Sequence, residues 1–377
     1  MQESWKKYKL CDVAEIKYGK DHKHISEGNI PVYGSGGIMR YGNKALYDKE
    51  SILIPRKGTL SNLFYVNQPF WSVDTMFYTK IKSEADGKYL FYLIKTLYLA
   101  GMNVGSAVPS LTTDLLNKIE ISLPTLSEQS RIASILSSLD DKIELNLQMN
   151  KTLEAIAQTI FKEWFVDFRF PGFNGEMVNG LPKGWKNSTI GNIAKNIQYG
   201  YTQSSSREEI GPKFLRITDI QQGNVDWSRV PYCSIPVKEF EKYKIKDHDI
   251  FIARTGASTG ENIYIIDSPS AVFASYLIRV QFEKPEYAFF IGSFLRREVY
   301  FKYISSSLGG SAQPNANAKT LTNIETVVPE NTILIKYFNL VFPLHKKIVL
   351  NQKENQILTH LRDNLIPKLM TGKIKVA

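Results

Sequence analysis

The chain has 377 residues, of which 43% are hydrophobic and 22% charged, and a formal net charge of +10. That length exceeds one ordinary core, so two domains are expected, and the composition excludes a disordered chain. The cationic excess points to a polyanionic partner, DNA or RNA first. Cys11 and Cys233 stand far apart without metal-ligand spacing, which argues against a disulfide scaffold and fits a reducing cytoplasm.

The opening Met-Gln-Glu-Ser-Trp-Lys-Lys lacks the apolar run of a signal peptide. No later stretch reaches the roughly 18 uncharged apolar residues of a membrane span. Residues 1–124 alternate β-rich runs with glycine turns, as in Val32-Tyr33-Gly34-Ser35-Gly36-Gly37 and Ser51-Ile52-Leu53-Ile54, and residues 89–100 predict a buried helix. Thr125 with Glu128 then forms a capping box after Pro124. It opens a helix running to about Val166, roughly 40 residues or about 60 Å at 1.5 Å per residue. Phe170-Pro171-Gly172-Phe173-Asn174-Gly175 ends the 125–170 segment. Residues 171–329 are a second mixed segment, with a strand at Asp249-Ile250-Phe251-Ile252-Ala253 and a buried helix over 287–295. Residues 330–377 predict a second long helix. The fold class is α+β.

The two halves repeat each other. Ile54-Pro55-Arg56-Lys57-Gly58 resembles Ile252-Ala253-Arg254-Thr255-Gly256, displaced by 198, and the same displacement aligns Tyr89-Leu90-Phe91-Tyr92 with Tyr287-Ala288-Phe289-Phe290. Ser106-Ala107-Val108-Pro109 matches Ser311-Ala312-Gln313-Pro314 at a displacement of 205, which continues through Pro124 and Pro329 to Lys142-Ile143 and Lys347-Ile348.

Each helix carries a heptad seam. The first runs Leu136, Leu139, Ile143, Asn146, Asn150, Leu153, Ala157, Ile160, Trp164; adding 205 gives Val341, Leu344, Ile348, Asn351, Asn355, Leu358, Arg362, Leu365, Leu369. This spacing predicts a coiled coil, with Asn146, Asn150, Asn351 and Asn355 fixing the register of the pair. Residues 125–170 hold five Lys/Arg and seven Asp/Glu, whereas residues 331–377 hold eight and two. Opposite signs favour pairing of one helix with the other within the chain.

Catalytic motifs are missing. The sequence has no Pro-Pro pair for a methyltransferase motif, no phosphate loop and no dinucleotide fingerprint. His22, His24 and Asp247-His248-Asp249 lie in ordinary turns, and no metal site is expected. The repeated loops are better candidates: Arg56, Lys57 and Thr59 in the first half, and Arg254, Thr255, Ser258 and Thr259 in the second, place cations and hydroxyls on glycine-bearing turns after a strand. Such turns bind phosphate oxygens through backbone amides, and arginine grips guanine with two hydrogen bonds. Tyr33, Ser35, Tyr199, Tyr201 and Thr202 are further DNA-binding candidates in polar-aromatic turns. A structural turn with an exposed arginine is the plainer reading of each loop.

The sequence resembles the specificity subunits of type I restriction–modification systems over nearly its whole length. The likeness rests on Leu139-Asp140-Asp141-Lys142-Ile143-Glu144-Leu145-Asn146, Ile160-Phe161-Lys162-Glu163-Trp164-Phe165-Val166-Asp167-Phe168 and Leu181-Pro182-Lys183-Gly184-Trp185. It extends through Ala253-Arg254-Thr255-Gly256-Ala257-Ser258-Thr259-Gly260, Gly310-Ser311-Ala312-Gln313-Pro314-Asn315 and Leu365-Ile366-Pro367-Lys368-Leu369-Met370-Thr371-Gly372. Pro55 and Lys57 depart from Ala253 and Thr255 of the second loop. The resemblance implies two α/β target-recognition domains, 1–124 and 171–329, with antiparallel spacer helices 125–170 and 330–377. Each domain would read half of a bipartite, asymmetric site in double-stranded DNA. Two partner modification subunits would supply S-adenosylmethionine chemistry on adenine. Partner restriction subunits would supply ATP- and Mg-dependent translocation and cleavage. This chain would hold no cofactor, touch no membrane and work in the cytoplasm. A stand-alone DNA-binding regulator fits the same composition; a degenerate nuclease or methyltransferase is disfavoured by the missing motifs.

Overall fold

The computed structural model describes residues 5–102, 109–221, 223–308 and 315–376. The chain divides into two compact units, residues 1–146 with 354–377, and residues 147–353. Each unit combines one mixed segment with stretches of both long helices, a partition that cuts across the four consecutive segments read from the sequence. The Ser106–Pro109 and Ser311–Pro314 match lies, Pro109 apart, outside the described residues.

In chain order the first unit runs β1 (Lys6–Lys9), β2 (Ala14–Tyr18), β3 (Glu27–Gly34), β4 (Gly37–Gly42), β5 (Ser51–Pro55), β6 (Phe64–Val66), β7 (Trp71–Ser72) and β8 (Met76–Ile81). Helix α1 (Gly87–Thr96), β9 (Glu120–Leu123) and the start of α2 (Leu126–Phe165) follow. The central antiparallel sheet has the order β2-β8-β5-β6. All five residues of β5, Ser-Ile-Leu-Ile-Pro, are buried, as an apolar run bounded by turns requires for a strand covered on both faces. Beside the sheet, β3 pairs antiparallel with β4 and parallel with β7. Asp86 caps α1 by accepting the Tyr89 N–H at 2.9 Å, which satisfies one of the helix's orphan donors. Tyr89, Leu90 and Ile94 then pack on Ile52, Ile54 and Phe77 of the sheet.

The second unit repeats this plan. It comprises β10 (Lys186–Thr189), β11 (Asn196–Tyr199), β12 (Lys213–Leu215), β13 (Ile250–Ala253), β14 (Asn262–Tyr264), β15 (Ala271–Phe273), β16 (Leu277–Gln281), α3 (Pro285–Leu295), β17 (Glu325–Val328) and the start of α4 (Asn331–Met370), with short elements between. The sheet order β11-β16-β13-β14 matches β2-β8-β5-β6 element for element. The parallel pair β12–β15 matches β3–β7, and the ribbon β10–β17 matches β1–β9.

The long helices α2 and α4 are 40 residues each, and the Thr125 hydroxyl caps α2 by accepting the Glu128 N–H at 3.3 Å. In the first unit they run antiparallel, Asn146 meeting Asn355 and Asp140 meeting Arg362. Asn146 is fully buried; its amide donates to Asn355 Oδ1 at 2.8 Å and to Glu354 at 2.9 Å. In the second unit the fully buried Asn351 donates to Asn150 Oδ1 at 2.8 Å. Asn150 and Asn355 are half-buried. A slip of either pairing would strand these amides, at about 1–3 kcal/mol for each buried group left unsatisfied. Arg362, the charged residue of the seam, is answered by Asp140 at 2.5 Å.

Candidate nucleic-acid interface

Each unit builds the same three-part constellation around its loop arginine. In the first, Arg56 follows β5; its N–H donates to the Thr75 carbonyl at 2.8 Å and its carbonyl accepts the Leu111 N–H at 2.9 Å. Its guanidinium lies 5.7 Å from the ring centroid of Tyr18, the last residue of β2, and Tyr18 Oη sits 3.4 Å from the Thr113 hydroxyl. In the second unit, Arg254 follows β13; its N–H donates to the Tyr276 carbonyl at 3.0 Å and its carbonyl accepts the Ala316 N–H at 2.8 Å. Its guanidinium lies 5.0 Å from the ring centroid of Tyr199, the last residue of β11, whose hydroxyl accepts the Ala318 N–H at 3.0 Å. A cation over an aromatic face is held electrostatically, by about 0.5–1 kcal/mol at exposed sites. Both tyrosines remain well exposed, 52% for Tyr18 and 42% for Tyr199.

The turn behind each tyrosine needs a glycine. A Cβ on Gly19 would lie 2.0 Å from the Val73 carbonyl oxygen, and one on Gly200 would lie 2.2 Å from that of Ala274. The backbones therefore approach closely enough to set each tyrosine at the edge of the sheet. Tyr18 was not among the sequence candidates, although Ile16-Lys17-Tyr18-Gly19 parallels Ile197-Gln198-Tyr199-Gly200 at a displacement of 181.

The remaining candidates fall into distinct settings. Lys57 and Thr59 are exposed, and Lys57 is bridged to Ser110 as Thr255 is to Asn315. The hydroxyls of Ser258 and Thr259 turn inward, donating to the Thr255 carbonyl at 3.4 Å and the Gly256 carbonyl at 2.7 Å. They shape the loop. Arg254 itself donates from Nη2 to Asn315 Oδ1 at 2.9 Å and from Nε to the Ala316 carbonyl at 3.3 Å. Ser35 stands beside the first loop, its Oγ 3.3 Å from where a Gly58 Cβ would be. Tyr33 lies within β3 and not in an exposed turn; its ring packs against Phe64 and Phe70, and burial pushes its phenol above the usual value. Tyr201 is half-buried against Tyr243, while Thr202 is exposed.

The family model described as the type I restriction modification DNA specificity domain matches residues 2–155. Over 99% of its length the chain is 27% identical to the MjaIX specificity subunit of Methanocaldococcus jannaschii, 94% of which is covered. It is 25% identical to the HindI specificity subunit of Haemophilus influenzae, over 71% of each chain. The chain is similar over nearly its whole length to type I restriction–modification specificity subunits. The solved S subunit from M. genitalium shares the fold, with a TM-score of 0.69 at 19% identity, covering 97% of this chain and 96% of that one. In this chain the loop arginines are thus parts of a frame made twice. Among the described residues no group of three or more His, Cys, Asp or Glu is placed to hold a metal ion, and no helix is long and apolar enough to cross a membrane.

Proposed function

We propose that this chain is a type I specificity subunit that reads two DNA half-sites, one with each target-recognition domain, 1–124 and 171–329, and contributes no catalytic group. Two modification subunits bring S-adenosylmethionine to the target adenine, and restriction subunits bring ATP and Mg for translocation and cleavage. The assembly works on double-stranded DNA in the cytoplasm. The observation that carries this reading is the arginine–tyrosine frame built twice, at equivalent places in two matching sheets, within a chain of net charge +10. A guanidinium and an exposed aromatic on a glycine-bearing turn suit contact with a phosphate backbone.

Exchange of residues 1–124 for the equivalent domain of a relative is expected to change one half of the methylated site and leave the other. Mapping methylated adenines in a host carrying the chimera checks this; a change in both halves, or in neither, would overturn the modular reading.

Arg254 Nε and Nη2 are engaged by Asn315 and Ala316, a geometry that favours anchoring over base choice. Arg254→Ala should therefore weaken DNA binding by about 1.5–3 kcal/mol, the range for hydrogen bonds to charged groups. The loss should be even across sequences and accompanied by a shallower salt dependence. Titration of specific and random duplexes at several salt concentrations decides; altered preference at one base would make Arg254 a base reader instead.

A further inference from the structure

Half-sites that differ must be told apart by something that differs between the two domains, and the arginine–tyrosine frame does not. The register of the parallel strands locates what does. In the first unit Val32 lies opposite Trp71 and Tyr33 opposite Ser72; in the second Phe214 lies opposite Val272 and Leu215 opposite Phe273. Trp71 and Val272 are displaced by 201, as are Thr75 and Tyr276, whose carbonyls take the two loop-arginine N–H groups. The residues that follow the paired strand are thus equivalent: Gly34-Ser35-Gly36-Gly37 in one domain, Arg216-Ile217-Thr218-Asp219 in the other.

Both turns border the frame. Ser35 adjoins Gly58 of the first loop, and Asn62 donates to the Ser35 carbonyl at 2.9 Å. In the second unit Arg216 and Thr218 line an open cleft of about 630 Å³ together with Thr202, Ser205, Ser275 and Tyr276. Tyr276 is 56% exposed, and its carbonyl is the one that holds Arg254. The frame is shared, but one turn is glycine-rich and uncharged while the other presents a guanidinium in a hydroxyl-lined cleft.

That guanidinium is oriented in advance. Nε and Nη2 of Arg216 donate to the two carboxylate oxygens of Asp219 at 3.0 and 2.8 Å, and the Arg216 N–H donates to the same carboxylate at 2.9 Å. The Asp219 side chain is only 9% exposed. This grip takes one side of the guanidinium plane and turns the Nη1–Nη2 edge away from Asp219, where Nη1 donates only a long hydrogen bond, 3.4 Å, to the Ser205 hydroxyl. Two parallel N–H donors on that edge match the O6 and N7 acceptors of guanine in the major groove. A side chain already held in place loses less freedom on binding.

Resting on the function proposed above, we propose that the turn after the parallel strand is the base-reading segment of each domain. In the second domain Arg216 is the specificity-determining residue and takes a guanine edge; Asp219 is its positioning residue.

The test uses the full specificity subunit assembled with its modification subunits. Methylated adenines are mapped, and binding measured on duplexes varied at each base, for the unaltered protein, R216K, R216A and D219N. R216K keeps the charge and the carboxylate partner but loses the planar fork. It is expected to relax one position of the second domain's half-site, with discrimination there falling roughly 5- to 150-fold. The first domain's half-site should be unchanged. D219N should move the same position in the same direction, by less. Thermal unfolding matching that of the unaltered protein shows that R216K, R216A and D219N are folded. An unchanged recognition sequence in folded R216K and R216A would overturn the proposal. So would an even loss across sequences with a shallower salt dependence, the mark of a phosphate contact. If the unaltered complex methylates no defined site, the function proposed above fails; if it does and R216K retains that site, only this inference fails.

Discussion

Phe161→Ala is expected to destabilise the second unit by about 3–5 kcal/mol, the range for removing a fully buried aromatic ring. Phe161 has no exposed surface. Its ring stacks on Phe290 with centroids 5.5 Å apart, leans on Phe165 at 5.0 Å and meets the Tyr337 ring edge-on at 6.0 Å. Arg297 lies over its face at 5.4 Å. The side chain thus joins α2 to α3 and α4 at the centre of one core, and no neighbour can swing in to fill its volume without breaking another ring contact. Phe161→Leu should recover more than half of the loss, because it restores most of the apolar volume. Urea unfolding followed by tryptophan fluorescence measures both, since Trp164 and Trp185 belong to the same cluster. A loss below about 1 kcal/mol for the alanine variant would mean that the cluster repacks freely.

The repeat was legible where displacements are constant and lost where they change. Arg56 and Arg254, and the helices α1 and α3, share one displacement, so the loops and their supporting helices could be matched from the sequence. Tyr18 escaped because the second domain carries extra residues between β11 and β13, which shifts the register to 181. The heptad spacing announced both long helices, and their opposite charge balance announced the pairing; α2 and α4 do pair antiparallel within each unit. What spacing alone could not supply is which asparagine meets which. Asn146 meets Asn355, and Asn150 meets Asn351, because antiparallel packing crosses the order that the repeat suggests. Tyr33 misled for a different reason. A polar-looking Val-Tyr-Gly-Ser run reads as a turn, yet the parallel pairing with β7 carries Tyr33 into the sheet and lays its half-buried ring against the core. Arg216 gave no sequence signal, since neither the motif nor the displacement marks a residue whose counterpart is Gly34.

The second large effect is expected from Asp249→Ala. Asp249, just before β13, and Arg279, on the adjacent strand β16, are buried, 2% and 5% exposed. The carboxylate accepts from Gln281 at 2.6 Å, from the Lys246 N–H at 2.9 Å and from Arg279 Nη1 at 3.4 Å. Arg279 also donates to the carbonyls of Lys244 and Lys242 at 2.8 and 2.9 Å and to the Gln198 side chain. Burial raises the Asp249 carboxyl above its ordinary value and lowers the Arg279 guanidinium below its own. A carboxyl raised on folding adds stability only below its unfolded value near 3.9, and loses that addition as pH climbs through the folded value. At neutral pH the ionised pair is therefore no net gain over a neutral one. Removing one member is a different matter: it leaves the Arg279 charge buried without its counter-ion, which costs about 3–5 kcal/mol. The first unit shows the neutral solution at the same place in its sheet. Ser51 stands for Asp249 at the displacement of 198, and Tyr78 for Arg279 at 201; Ser51 Oγ donates to the Thr79 carbonyl at 2.7 Å with no charge buried. The double variant D249S/R279Y should accordingly be more stable than D249A by at least half of the single loss. Urea unfolding of the two variants at pH 7 decides, and a double variant no more stable than D249A would show that the penalty comes from lost packing and not from a stranded charge.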